Sequence, residues 1–191
     1  MRGWRFSLAL CKMRKILTSN TVISSAHTKR IILAPPINYL YLPSMNLQQS
    51  VFLFRKAMLK AKADGFQFDL LDLFPVNCCE FSSYLLAKFL MEKVGVSPLI
   101  IVTGENRFKK SRRHIWIKFG EVDIDITANQ FSSTGRAIFV EANSEWHKRF
   151  TIINAEKPNL KMTQFNEDTR SALSHDYKKI LFLVNSLFTT G

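Results

Sequence analysis

The chain reads as an α+β domain built on an antiparallel sheet. Three observations predict it: amphipathic helical patterns in the first half, short period-two segments after them, and one long amphipathic pattern at the end. With 191 residues, 47% of them hydrophobic, the chain suffices for one compact domain and is too short for two comfortable ones. Six Pro, seven Gly and the lack of any low-complexity window or self-similar period exclude a repeat protein or wholesale disorder.

The elements follow in order. From Asn46 to about Ala63, the residues Val51, Phe54, Ala57, Met58 and Ala61 recur at three- and four-residue steps, and Gly65 closes the run, which predicts a helix. Phe66 to Phe74 is an apolar connection bounded by Pro75, which disfavours helix in the residue before it. A second helix is expected from Cys79 through Tyr84, Leu85, Leu86, Phe89 and Leu90 to Lys93, with Gly95 as its stop. Its wide apolar surface marks a buried central helix. Pro98 to Thr103 is apolar and β-branched, hence a strand, and the basic group Lys109, Lys110, Arg112 and Arg113 follows in a loop. His114 to Phe119 and Val122 to Thr127 alternate with period two around Gly120-Glu121, the signature of a tight hairpin. Ala137 to Val140 and Phe150 to Ile153 extend the sheet, and a helix from about Glu167 to Phe188, with Asn166 as N-cap, ends the chain.

The net charge of +12 is unevenly spread. Residues 1 to 45 hold seven of the 27 basic side chains and no acid, which leaves 20 basic against 15 acidic, or +5, for the remainder. Pro35-Pro36 and Pro43 make the first segment a poor helix or central strand. An Arg-rich targeting peptide, a basic arm and translated sequence ahead of a true start at Met45 compete to explain it; the third is favoured because orderly patterning begins just after that Met. The expected organisation is a basic extension over 1–44, disordered or foreign to the native protein, and a single domain over 45–191. Three cysteines, two of them adjacent, cannot build a secreted disulfide framework, and no run approaches the length of a membrane span. A cytoplasmic protein without a membrane partner is expected.

The hairpin register sets Lys118 opposite Asp123, Trp116 opposite Asp125 and His114 opposite Thr127. His114, Trp116, Lys118, Asp123, Asp125 and Thr127 then share one face, while Ile115, Ile117, Phe119, Val122, Ile124 and Ile126 fill the other. His114 and Asp125 are diagonal neighbours, about 7–8 Å apart between α-carbons, which two side chains can bridge. Asp123 has Lys118 as an ion-pair partner, so Asp125 is the acid left to orient an imidazole. A thiol becomes nucleophilic on ionising, and a helix N-terminus and a neighbouring imidazolium both favour the thiolate. Cys79 is placed to have both, with His114 as base and Asp125 as the group that fixes its tautomer. The Cys79 N–H is one candidate oxyanion donor; by side-chain type Asn77 and Gln130 are candidates for the second, and Trp116 for positioning.

Phe74-Pro75-Val76-Asn77-Cys78-Cys79 with its following Ser83-x-Leu85-Leu86 run, His114-Ile115-Trp116, and Asp125-Ile126-Thr127-Ala128-Asn129-Gln130-Phe131 resemble the three blocks of the transglutaminase-like, papain-like cysteine hydrolase superfamily. They are similar above all to uncharacterised bacterial and phage-type members with a Cys block, an H-x-W block and a D-I-T-A-x-Q-F block. The resemblance covers about 60 residues. It implies a central helix bearing the Cys, packed on an antiparallel sheet bearing the His and Asp, with Cys79, His114 and Asp125 as nucleophile, base and orienting acid. Two positions depart from the pattern: Asn77 stands where Gly is expected, though Asn also adopts a left-handed backbone, and Cys78 is a second thiol.

The expected chemistry is cleavage or transfer at an amide or acyl bond through a covalent acyl-enzyme, on a protein, peptide or other acyl substrate, with no cofactor and no metal. A zinc site from Cys78, Cys79 and His114 fails because adjacent cysteines rarely aim both sulfurs at one ion. His27, His147 and His175 fall in no ligand spacing and read as surface or core residues. No phosphate loop or dinucleotide fingerprint is present. The contrasting expectation is a non-catalytic module whose basic surface binds nucleic acid or another anion. Export as an effector or toxin would change the biology and leave the chemistry unaltered.

Overall fold

The computed structural model describes residues 45–190; the expected extension over 1–44 lies outside them. The elements are three α-helices, α1 (Leu47–Ala63), α2 (Cys79–Phe89) and α3 (Glu167–Thr189), and one five-stranded sheet: β1 (Ile100–Asn106), β2 (Arg113–Phe119), β3 (Val122–Asp125), β4 (Phe139–Ala142) and β5 (Phe150–Glu156). α1 and α2 pack on the sheet, and α3 packs on α1 and α2. The strand order is β4-β3-β2-β1-β5 and every pairing is antiparallel, as the α+β reading predicts. No helix among the described residues is long and apolar enough to cross a membrane.

Each helix begins where its chemistry directs. Asn46 and Gln49 form a reciprocal capping box at α1, and the Asn166 side chain accepts the Thr169 N–H at α3. The helix that starts at Cys79 has no side-chain cap. Its far end departs from the predicted run to Lys93: the α-helix stops at Phe89 and one π-helical turn, Leu90–Val94, carries the chain to Gly95, which takes a left-handed φ of 81°.

The hairpin pairs Lys118 with Asp123 and Phe119 with Val122, as alternation requires, and Gly120 supplies the positive φ of its turn. Ile117, Ile124 and Ile126 enter the main core with Phe54, Phe89 and Leu85 from the helices, and Ile115, Phe119 and Val122 pack at its margin. The opposite face carries a second core of Val102, Trp116, Phe131 and Phe150. The third strand is shorter than expected. It ends at Asp125 because the Asp125 carboxylate takes the Thr127 N–H at 2.7 Å, which turns the backbone into a 3₁₀ turn over Ala128–Gln130. Thr127 therefore does not pair with His114 in the ladder. Beyond β4 the chain crosses to the far edge and returns as β5 beside β1.

Candidate active site

Cys79 is the first residue of α2, and three side chains fix the approach to it. Asp176 of α3, wholly buried, accepts the Gln67 and Phe68 N–H groups at 2.9 Å each. Lys62 donates to the Phe74 carbonyl at 2.7 Å, and the Arg55 guanidinium lies 5.0 Å from the Phe74 ring centre. Asn77 then turns the chain with φ 56°, the left-handed conformation its side-chain type tolerates, and leaves its side chain exposed two residues before Cys79. Cys78 and Cys79 point to different surroundings. Cys78 is fully buried against Ser82 Oγ at 3.4 Å, and burial pushes its thiol up to about 11, where it stays protonated near neutral pH. Cys79 is partly exposed, and its thiol lies close enough to the His114 imidazole to help raise the pKa of that ring.

The structure brings His114 and Asp125 together across the hairpin. His114 Nε2 stands 2.7 Å from Asp125 Oδ2. Burial by itself would lower the His114 pKa; the Asp125 carboxylate overrides it, and with the thiol adding to the effect the imidazole is raised to about 9. Burial likewise favours the neutral Asp125, yet His114 first and His147 second hold the carboxyl well below its ordinary value. The neutral-pH state is an imidazolium on a carboxylate. Because Nε2 is occupied by Asp125, Nδ1 is the nitrogen left for the thiol side, and Gln130 Nε2 lies 3.3 Å from it.

Three features go beyond the sequence expectations. His147, expected as an unremarkable surface or core residue, is buried with its Nε2 3.2 Å from Asp125 Oδ2 and its Nδ1 3.0 Å from Ser144 Oγ. Asp125 Oδ1 takes both the N–H and the hydroxyl of Thr127, so every lone-pair direction of the carboxylate is used. Arg55, inside the apolar stripe of α1, donates Nη1 to the Ile126 carbonyl and Nη2 to Asn129 Oδ1 at 3.4 Å, which ties the turn after Asp125 to the helix layer. The signal for Arg55 was visible as a charged residue at a core-facing helical position.

Aromatic rings enclose the imidazole. Trp116 stacks on His114 with ring centres 5.8 Å apart, Phe131 meets it edge-on at 5.0 Å and Trp146 at 5.6 Å. Trp116 is itself buried and donates Nε1 to Asp123 Oδ1 at 2.9 Å, which also accepts from Lys118. Gly104 on the neighbouring strand makes room for it: a Cβ there would lie 2.7 Å from both Trp116 and Phe150.

Among the described residues, His114, Asp125 and His147 form the one group able to offer a metal ion three ligand atoms, all within 4.8 Å of one another. Those atoms already hydrogen-bond to each other, so an ion would have to replace the His114–Asp125 contact on which the thiol arrangement depends. Comparisons with family models, with curated proteins and with solved structures found no match to this chain.

Proposed function

We propose that the protein is a thiol-dependent enzyme that cleaves or transfers an amide or acyl group. The observation that carries the reading is the buried His114–Asp125 pair, 2.7 Å apart with Asp125 saturated, beside a partly exposed Cys79 at an uncapped helix start whose thiol acts on the His114 pKa. The resemblance of the three sequence blocks to transglutaminase-like and papain-like hydrolases supports it independently.

In this mechanism the imidazolium of His114 already holds the thiol's proton on Nδ1, with Nε2–H on Asp125, and the Cys79 thiolate attacks the carbonyl carbon. The new C–S bond pushes an electron pair onto the carbonyl oxygen, which the free N–H groups of the first turn of α2 stabilise. Collapse of this tetrahedral species expels the leaving amine or other group, which takes the proton from His114. Water or an acceptor amine, deprotonated by His114, then attacks the acyl-enzyme and releases Cys79. Gln130, partly exposed beside Nδ1, and Asn77, at the turn before the thiol, are the side chains that supply a further oxyanion donor.

The test is alkylation of the intact protein across about pH 5 to 9, with the modified cysteine mapped by mass and His114→Ala run alongside. Cys79 is expected to react quickly well below the free-thiol pKa of about 8.5, and about a hundred-fold more slowly without His114. A Cys79 that stays inert until the protein is denatured rejects the mechanism. The alternative, a non-catalytic anion-binding module, predicts that outcome together with binding indifferent to Cys79→Ala and steeply weakened by salt.

A further inference from the structure

The loop between β1 and β2 is a tied structure. Asn106 Oδ1 accepts the N–H groups of Phe108 and Lys109 at 2.9 and 3.0 Å, and Asn106 N donates to the Arg112 carbonyl at 2.9 Å. Arg107 N donates to the Arg149 carbonyl at 2.9 Å, which fastens the start of β5 beside the loop. The loop and this neighbour therefore gather Arg107, Lys109, Lys110, Arg112, Arg113 and Arg149, all exposed. None of the six has a carboxylate within 4.0 Å among the described residues. Elsewhere on the surface Lys88, Arg136, Lys148 and Arg170 each have one.

Like charges held together without carboxylate partners repel one another and attract an anion. Three of the six, Lys109, Arg112 and Arg149, line a cleft of about 230 Å³ together with Ser132, Ser133 and Phe131. Phe131 connects the cleft to the candidate site. It lines the cleft and also meets the His114 ring edge-on, while the residue before it, Gln130, faces His114 Nδ1.

We propose that this cleft binds an oxyanion group, carboxylate or phosphate, carried by the substrate of the Cys79 site. The inference rests on reading Cys79 as the nucleophile. Arg112 and Arg149 offer planar forks that match either oxyanion in two parallel hydrogen bonds, Lys109 adds a point charge, and the serine hydroxyls add neutral donors. The substrate class is thus an anionic acyl compound: an acidic peptide segment or a phosphate-bearing one.

The experiment compares full-length wild type with Lys109→Gln/Arg112→Gln/Arg149→Gln. The control, Lys56→Gln/Lys60→Gln/Lys178→Gln, removes the same charge from helix surfaces elsewhere. At low ionic strength, Cys79 is alkylated with anionic iodoacetate and with neutral iodoacetamide. The cleft variant is expected to slow iodoacetate about five-fold while leaving iodoacetamide within about two-fold of wild type, and the control variant to change neither appreciably.

In parallel, inorganic pyrophosphate and a tetraglutamate peptide are titrated calorimetrically into all three proteins carrying Cys79→Ala. Binding that weakens about ten-fold in the cleft variant alone supports the site, and the ligand that shows it identifies phosphate or carboxylate as the recognised group. An unchanged iodoacetate to iodoacetamide ratio, or anion binding equal in the cleft and control variants, overturns the proposal. A Cys79 inert to both reagents instead removes the nucleophile, and calorimetry alone then decides whether an anion site exists.

Discussion

At the scale of single residues, the site is organised around the Asp125 carboxylate, which receives four donors: two from Thr127 and one each from His114 and His147. Asp125→Asn replaces an acceptor with an N–H₂ group. His114 must then turn its unprotonated Nε2 toward that group and keep its proton on Nδ1, facing the thiol it should deprotonate. Alkylation at Cys79 is expected to fall by about a hundred-fold or more, with the change read as a rate across pH. His147→Gln keeps a donor toward Asp125 without an ionisable ring and should cost about ten-fold or less by the same assay. Cys78→Ser should leave the rate unchanged, since that thiol is buried and its proton tightly held. The sequence revealed the pair His114 and Asp125 because a two-residue turn fixes which side chains are neighbours. It concealed His147, 22 residues from Asp125, because the crossover that delivers it has no local pattern. Arg55 acts on a carbonyl 71 residues away and shows only as a charge among apolar neighbours.

At the scale of elements, strand and helix identities were legible because period-two and helical patterns are local, whereas their ends were set by tertiary chemistry. The expected strand through Thr127 stops at Asp125 because a side chain captures the next ladder donor. The second helix ends in a π turn because Gly95 closes it with a left-handed residue. Gly104 was legible only as part of a strand, yet its missing side chain sets the spacing of β1 against Trp116 and Phe150. Gly104→Ala forces a Cβ to within 2.7 Å of the Phe150 Cβ, which is anchored to the backbone and cannot swing aside. An expected loss of about 2–3 kcal/mol should appear as a lower urea midpoint with unchanged slope. Asp176→Asn tests the connection ahead of Cys79: the Gln67 and Phe68 N–H groups go to different oxygens, one of which becomes an N–H₂ donor, so about 1–3 kcal/mol should be lost.

At the scale of the whole molecule, the class, the antiparallel sheet and its apolar face were readable in advance, whereas the placement of β5 at the far edge was not, because strand order depends on long-range pairing. Stability should depend on pH through the buried His114–Asp125 pair. The His114 pKa rises from 6.5 to about 9, so its contribution is complete below about pH 6.5 and disappears as pH rises through about 9. Asp125 lies below its ordinary value, so its contribution is complete above about pH 4 and is lost only on further acidification. Urea unfolding should show a plateau between about pH 4 and 6.5 and lose on the order of 3 kcal/mol beyond pH 9. A curve flat through pH 9 would exclude a charged His114. The aromatic enclosure also has an optical consequence. Two of the three tryptophans in the chain, Trp116 and Trp146, flank the His114 ring. A protonated imidazole quenches indole emission that a neutral one spares, so the unlabelled protein should brighten as pH passes through about 9, and Trp116 and Trp146 together form a built-in lamp for the protonation of its own base.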